Sequence, residues 1–316
     1  MPVHASVIDC IGHTPVVDVS VLSPNPAVRI LAKLEGQNPG GSVKDRVARS
    51  MIEAAEADGT LRPDTTILEP SSGNTGIALA LIARLRGYPV KVVLPENVSS
   101  ERRDLLEIYG AKIIDSPGAE GSNGAVRRAE RLAAEHPEWV YLCQYANEAN
   151  PRAHYDTTGP EILTDCPDIT HFVAGLGTAG TLMGVGRYLK EHKPGVKVYA
   201  VEPPAGEKVE GLRSLADGYI PPVYENWSGD ELLDGKRIVR TREALAYTRR
   251  LATEASVFAG ISSGAALAGA CRVAERIEEG VIVVVAADGG WKYLSTRAWS
   301  DPVDEVVERA EGIIYF

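Results

Sequence analysis

The sequence predicts an α/β protein of two lobes, each a mainly parallel, twisted sheet flanked by helices. Three observations predict it. Short apolar runs rich in Val and Ile alternate with amphipathic stretches of helix length through most of the 316 residues, as in parallel sheets covered by helices. The run Val281–Val285 contains no polar residue, which suits a strand buried on both faces. The chain also exceeds what one core accommodates, since single cores stop growing at about 250–300 residues.

Taken in order, residues 1–35 read as a short helix or loop followed by strands at Val16–Val19 and Arg29–Leu34. Asn38-Pro39-Gly40-Gly41 are turn formers that lead into a helix starting near Ser42, with Met51, Ile52 and Ala55 at helical spacing. Strands follow near Thr66–Glu69, Val90–Leu94, Lys112–Asp115 and Val140–Gln144, with helices between them near Thr75–Arg86, Ser100–Tyr109 and Asn123–Glu135. Asn147–Pro151 breaks the alternation, which places the lobe boundary near residue 147. It then resumes with strands near His171–Gly175, Lys197–Glu202 and Val281–Ala287, and helices near Thr178–Glu191, Thr241–Glu254 and Ser263–Glu279. Pro203–Pro204 and Pro221–Pro222 mark loops.

Composition narrows the class. A formal charge of −10 without any Lys/Arg run argues against a nucleic-acid surface. No apolar run is long enough to span a bilayer, and the N-terminus lacks the layout of a signal peptide. Cys10, Cys143, Cys166 and Cys271 are scattered, with neither paired nor metal-ligand spacing. The expectation is a reduced cytoplasmic protein with no metal, no membrane and no nucleic-acid partner.

Lys44 and four later features bear on the chemistry. Lys44 falls in the first turn of its helix, where backbone N–H dipoles disfavour a cation by about 0.3–1 kcal/mol. A solvated surface lysine is the ordinary explanation, and a partly buried amine used in a Schiff base is the alternative. Glu69-Pro70-Ser71-Ser72-Gly73-Asn74-Thr75-Gly76 crowds hydroxyls, an amide and glycines into a helix mouth, a ready site for a carboxylate. Gly175-Leu176-Gly177-Thr178-Ala179-Gly180-Thr181 matches G-x-G-x-x-G, and Glu202 closes the next strand, so dinucleotide binding competes with a single-phosphate cradle. Gly260-Ile261-Ser262-Ser263-Gly264 opens another helix, and Gln144 ends a strand; either alone is uninformative.

Together these stretches resemble the fold type II (β-family) pyridoxal-phosphate enzymes, and within them the cysteine synthases. The motifs stand in the family's order over nearly the whole chain, along with Ser100-Glu101-Arg102-Arg103 and Gly290-Trp291-Lys292-Tyr293-Leu294-Ser295-Thr296. The resemblance implies the fold type II architecture and pyridoxal 5'-phosphate as cofactor. Lys44 would be its Schiff-base lysine, Asn74 would meet its ring hydroxyl, and Ser262 would face its pyridine nitrogen. Gly177, Thr178, Ala179, Gly180 and Thr181 would hold its phosphate. Ser71, Ser72, Thr75 and Gln144 would grip the substrate carboxylate. Residues 36–147 would then form a smaller, mobile, carboxylate-binding lobe, and 1–35 with 148–316 the larger, phosphate-binding one. Ala179 stands where the family commonly has Gly, which is harmless unless that position needs positive φ.

Within the family the chain looks most like the actinobacterial O-phosphoserine sulfhydrylase branch, on Gly211-Leu212-Arg213-Ser214, Gly218-Tyr219-Ile220-Pro221 and the tail Glu311–Phe316. The branch implies β-replacement on an O-activated L-serine to give L-cysteine, with Arg213 pairing the substrate phosphate. O-acetylserine remains open as the substrate, since some enzymes that use it carry an arginine here too. The sulfur would come from sulfide, thiosulfate or a thiocarboxylated carrier protein. The apolar end Ile313–Phe316 would be a lid or would pack on the body or across a homodimer. Cystathionine β-synthase or serine/threonine dehydratase chemistry, and an NAD-dependent oxidoreductase, are the competing readings.

Overall fold

The computed structural model describes residues 3–71 and 73–312. The strands among them are Val16–Asp18 (β1), Val28–Leu34 (β2), Ile67–Pro70 (β3), Val90–Pro95 (β4), Lys112–Ser116 (β5), Val140–Tyr141 (β6), His171–Gly175 (β7), Lys197–Glu202 (β8), Gly235–Ile238 (β9) and Gly280–Ala286 (β10). They form two sheets, ordered β1-β2-β10-β7-β8-β9 and β5-β4-β3-β6. Every pairing is parallel except β1 with β2. The Val281–Val285 run lies in β10, inside the larger sheet, where both faces are covered and a continuous apolar run is what burial demands. The four-stranded sheet draws its strands from residues 67–141. Ile77, Leu79, Val92 and Leu106 fill its core together with Ile8 and Ile11 from the N-terminal segment.

Several elements end where side chains end them. β6 stops after two residues because Cys143 takes a positive φ of 50° and its carbonyl accepts the N–H groups of Ala146 and Asn147. The helix expected over Ser263–Glu279 spans Ile261–Ala274. Asn25 turns the chain there, its amide donating to the carbonyls of Ala274 and Ile277 at 3.3 and 2.8 Å. β9 is an edge strand, and Gly-Lys-Arg-Ile has too little apolar alternation to announce itself. Among the described residues no helix is long and apolar enough to cross a membrane. The tail Ile313–Phe316 and Ser72 lie outside the described residues.

Candidate active site

Lys44 is the first residue of helix Lys44–Ala57. The turn before it is tied to the end of β10 by the Val43 N–H, which donates to the Ala287 carbonyl at 2.8 Å. The amine thereby reaches a cleft of about 720 Å³, shared with Ser71, Asn74, Thr75, Gln144, Gly177, Thr178, Arg213 and Ser262. Ala179, Gly180 and Thr181 extend it on the far side of Lys44. The three loops singled out in the sequence, carrying Ser71, Gly177 and Ser262 and distant in the chain, thus open on one space. Burial lowers the Lys44 ammonium from the ordinary lysine range to about 8, with the Asp288 carboxylate pulling the other way.

The loop that carries Ser71 and Thr75 is held from beneath. Ser71 Oγ accepts the N–H groups of Gly73 and Gly76 at 3.0 and 3.1 Å. Gly73 has φ +151°, and a Cβ there would strike the Arg102 side chain, so glycine is required. The Thr75 hydroxyl donates to Gln144 Oε1 at 2.6 Å, and the Gln144 N–H donates to Glu69 Oε1 at 3.1 Å. Glu69 is fully buried, and burial pushes its carboxyl up to about 8, against the N–H groups that favour its ionised form.

The Gly177–Thr181 loop is built differently. It runs from β7 into helix Gly180–His192, whose first N–H groups lack intrahelical partners. A Cβ on Gly177 would lie 2.8 Å from the Gly211 carbonyl oxygen, and one on Gly180 would collide with the Asn150 side chain. Ala179 sits in the left-handed region at φ +71°, so the condition under which alanine would be strained is met. Asn150 Nδ2 donates to Thr178 Oγ at 3.0 Å, and Thr181 Oγ lies 3.3 Å from His154 Nε2. His154 is fully buried, and burial with the charges of Lys44 and Arg46 keeps its imidazole neutral.

Sequence reasoning assigned no role to a buried network on the opposite wall. Asn74 Nδ2 donates to Asp288 Oδ2 at 2.7 Å, and Lys292 Nζ donates to Asn74 Oδ1 at 2.7 Å. The Tyr293 hydroxyl also donates to Asp288. Arg102 pairs with Glu210 at 2.8 Å, and its guanidinium lies 4.9 Å from the Tyr293 ring centroid. Arg102, Lys292 and Tyr293 stand in stretches that carried the family resemblance, but no spacing rule joins them to Asn74 or Glu210.

The donor set fits pyridoxal phosphate. A helix N-terminus with two hydroxyls and two side-chain-free approaches suits a phosphate. A buried amine of lowered basicity suits a Schiff base, and the cavity joins the two. The family model described as pyridoxal-phosphate dependent enzyme matches residues 7–288. The chain belongs to that family. The dinucleotide reading of Gly175–Gly180 is thereby set aside. Cysteine synthase B of Pseudomonas aeruginosa is 42% identical over 95% of this chain and 98% of its own length. O-ureido-L-serine synthase superposes with a TM-score of 0.87 at 38% identity, covering 96% of this chain and 99% of its own. The cysteine synthase of Entamoeba histolytica superposes with a TM-score of 0.87 at 32% identity, covering 97% and 96%. This member of the family is therefore a pyridoxal-phosphate dependent transferase of the EC 2.5.1 type, and its relatives support cysteine synthesis.

Proposed function

We propose that the protein makes L-cysteine by β-replacement on O-phospho-L-serine, as a member of the O-phosphoserine sulfhydrylase branch. Arg213 is the observation that carries this. Its guanidinium lies at the cleft, 4.6 Å from the Tyr219 ring centroid and 5.2 Å from that of Tyr145. It donates to the neutral Asn123 amide oxygen at 2.9 Å, and among the described residues no carboxylate pairs with it. A planar cation held by rings and left without a counter-ion suits a phosphate, whereas an acetyl ester offers it no charge.

Bound pyridoxal phosphate would supply the electron sink that lets Cα lose a proton and Cβ lose its substituent. Gly177 to Thr181 would hold its phosphate, Asn74 its ring hydroxyl, and the neutral Ser262 its ring nitrogen. The N–H groups and hydroxyls of Ser71, Ser72 and Thr75, with Gln144, would fix the substrate carboxylate and so aim Cα at Lys44. Lys44 Nζ would take the Cα proton and later return it, a role helped by its lowered basicity. Arg213 would hold the departing phosphate until sulfide or a carrier-bound thiocarboxylate adds at Cβ. Residues 36–147 would move as the closing lobe, in a cytoplasmic homodimer of the kind typical of the family.

The test compares O-phosphoserine with O-acetylserine in the wild type and in Arg213→Ala. Loss of a charge-assisted contact should lower kcat/KM for O-phosphoserine by about 10- to 100-fold and barely touch O-acetylserine. Equal losses on the two substrates would exclude the phosphate role.

A further inference from the structure

Lys292 is a buried lysine for which the reaction above has no use. It lies in the 3₁₀ segment Gly290–Thr296, only 1% exposed, yet its ammonium reaches across to Asn74 at the start of helix Asn74–Arg86. Asp45 and Asp288 supply the opposing charge that lets a cation lie there. Ser99 ties the same segment to the four-stranded-sheet side, its hydroxyl donating to the Lys292 carbonyl at 2.9 Å.

The two partners of Asn74 differ in kind. An ammonium can only donate and a carboxylate can only accept, whereas an amide has one end of each type and nearly the same shape either way round. With Oδ1 on Lys292 and Nδ2 on Asp288, both contacts are attractive. Turning the amide over would set NH₂ against the ammonium and oxygen against the carboxylate, in a buried place where such repulsions are weakly screened. We propose that Lys292 and Asp288 form an amide lock that holds Asn74 in this single orientation. One N–H of Nδ2 is spent on Asp288, and the lock leaves the other for the cleft beside Lys44. On the reading of the previous subsection, on which this inference rests, that N–H meets the ring-hydroxyl oxygen of the cofactor. Lys292 is thus a positioning residue that acts through Asn74.

A double-mutant cycle on the full-length holoenzyme tests it, using Asn74→Ala, Lys292→Met and the pair. The readouts are the dissociation constant of pyridoxal phosphate and the visible absorption band of the bound cofactor. Asn74→Ala should weaken binding about tenfold, and Lys292→Met should weaken it by a comparable factor and move the band. The double variant should bind no worse than Asn74→Ala alone, because Lys292 has nothing left to orient. Full additivity, or a Lys292→Met protein that merely melts earlier as apoprotein with binding and band unchanged, overturns the lock. An Asn74→Ala protein with unchanged affinity and band overturns the ring-hydroxyl reading itself, and the lock with it. Lys292→Gln, which keeps a polar group in the same space, serves the same cycle if the methionine variant does not fold.

Discussion

At one end of the cleft, Gly177–Thr181 offers backbone N–H groups and two hydroxyls with no charged side chain, all from one segment. At the ring end, Asn74 and Arg102 face Glu210, Asp288 and Lys292 across the junction between the two sheets. The first arrangement presents only fixed dipoles and hydroxyls, and even its buried imidazole, His154, stays neutral. The second holds opposite charges in balance and connects parts of the chain more than 100 residues apart. Only the second can therefore respond strongly to charge, to pH, or to movement of one sheet relative to the other.

The largest consequence concerns the Arg102–Glu210 pair. Both side chains are almost fully buried, and removing one partner of such a pair leaves the other charge uncompensated, at a cost of about 3–5 kcal/mol. Arg102→Met should lower unfolding free energy in urea by that amount. Adding Glu210→Gln to it should recover part of the loss, because the stranded carboxylate is then gone. A loss below about 1 kcal/mol would mean that the pair behaves as a surface contact, and that the two ends are less different than their geometry suggests.

A smaller effect lies outside both ends and is read by pH. Burial pushes the carboxyl of Glu69, beneath the Ser71 and Thr75 loop, up to about 8 in the folded protein against 4.5 as a free group. Between those values the folded state holds a proton that the unfolded state has released. Stability contributed by this site therefore falls as pH rises from about 4.5 to 8 and is constant above that. Glu69→Gln should flatten this part of the stability–pH curve and remove a penalty of a few kcal/mol at its upper end. Urea unfolding of both proteins at pH 5, 7 and 9 checks it, and parallel curves would show that Glu69 does not carry the dependence.

The same contrast explains how much was legible in the sequence. Strand-helix alternation announced the sheets, since buried parallel strands need unbroken Val/Ile runs. Gly177, Thr178, Gly180 and Thr181, which the structure brings to the cleft beside Lys44, could be singled out because such a loop is local: its glycines and its hydroxyls are neighbours in the chain. Ser71, Asn74 and Thr75 were legible for the same reason. Asp288 and Glu210 were not, because each is defined by a partner more than 100 positions away and by burial, and neither leaves a periodic trace. β9 escaped for a different reason. An edge strand is fixed by what it packs against more than by its own propensity.

Ala179 gives the smallest and most local test, and its sign is informative. An L-residue in the left-handed region costs about 1–2 kcal/mol, and at φ +71° and ψ −14° Ala179 bears that cost. Glycine would relieve it but would lose more conformational freedom on folding, a penalty of roughly 0.5–1 kcal/mol. Ala179→Gly should therefore stabilise the protein by up to about 1 kcal/mol, read in urea unfolding of the apoprotein. Cofactor affinity should change by no more than about twofold, or roughly 0.4 kcal/mol, because the N–H groups of the loop keep their directions. If affinity instead changed by tenfold or more, the methyl group would be part of the cradle, and a site built from backbone dipoles alone would be the wrong description of this end. If stability fell, the loop would be drawing rigidity from the alanine, and the strain seen at φ +71° would be offset by restriction of the unfolded chain.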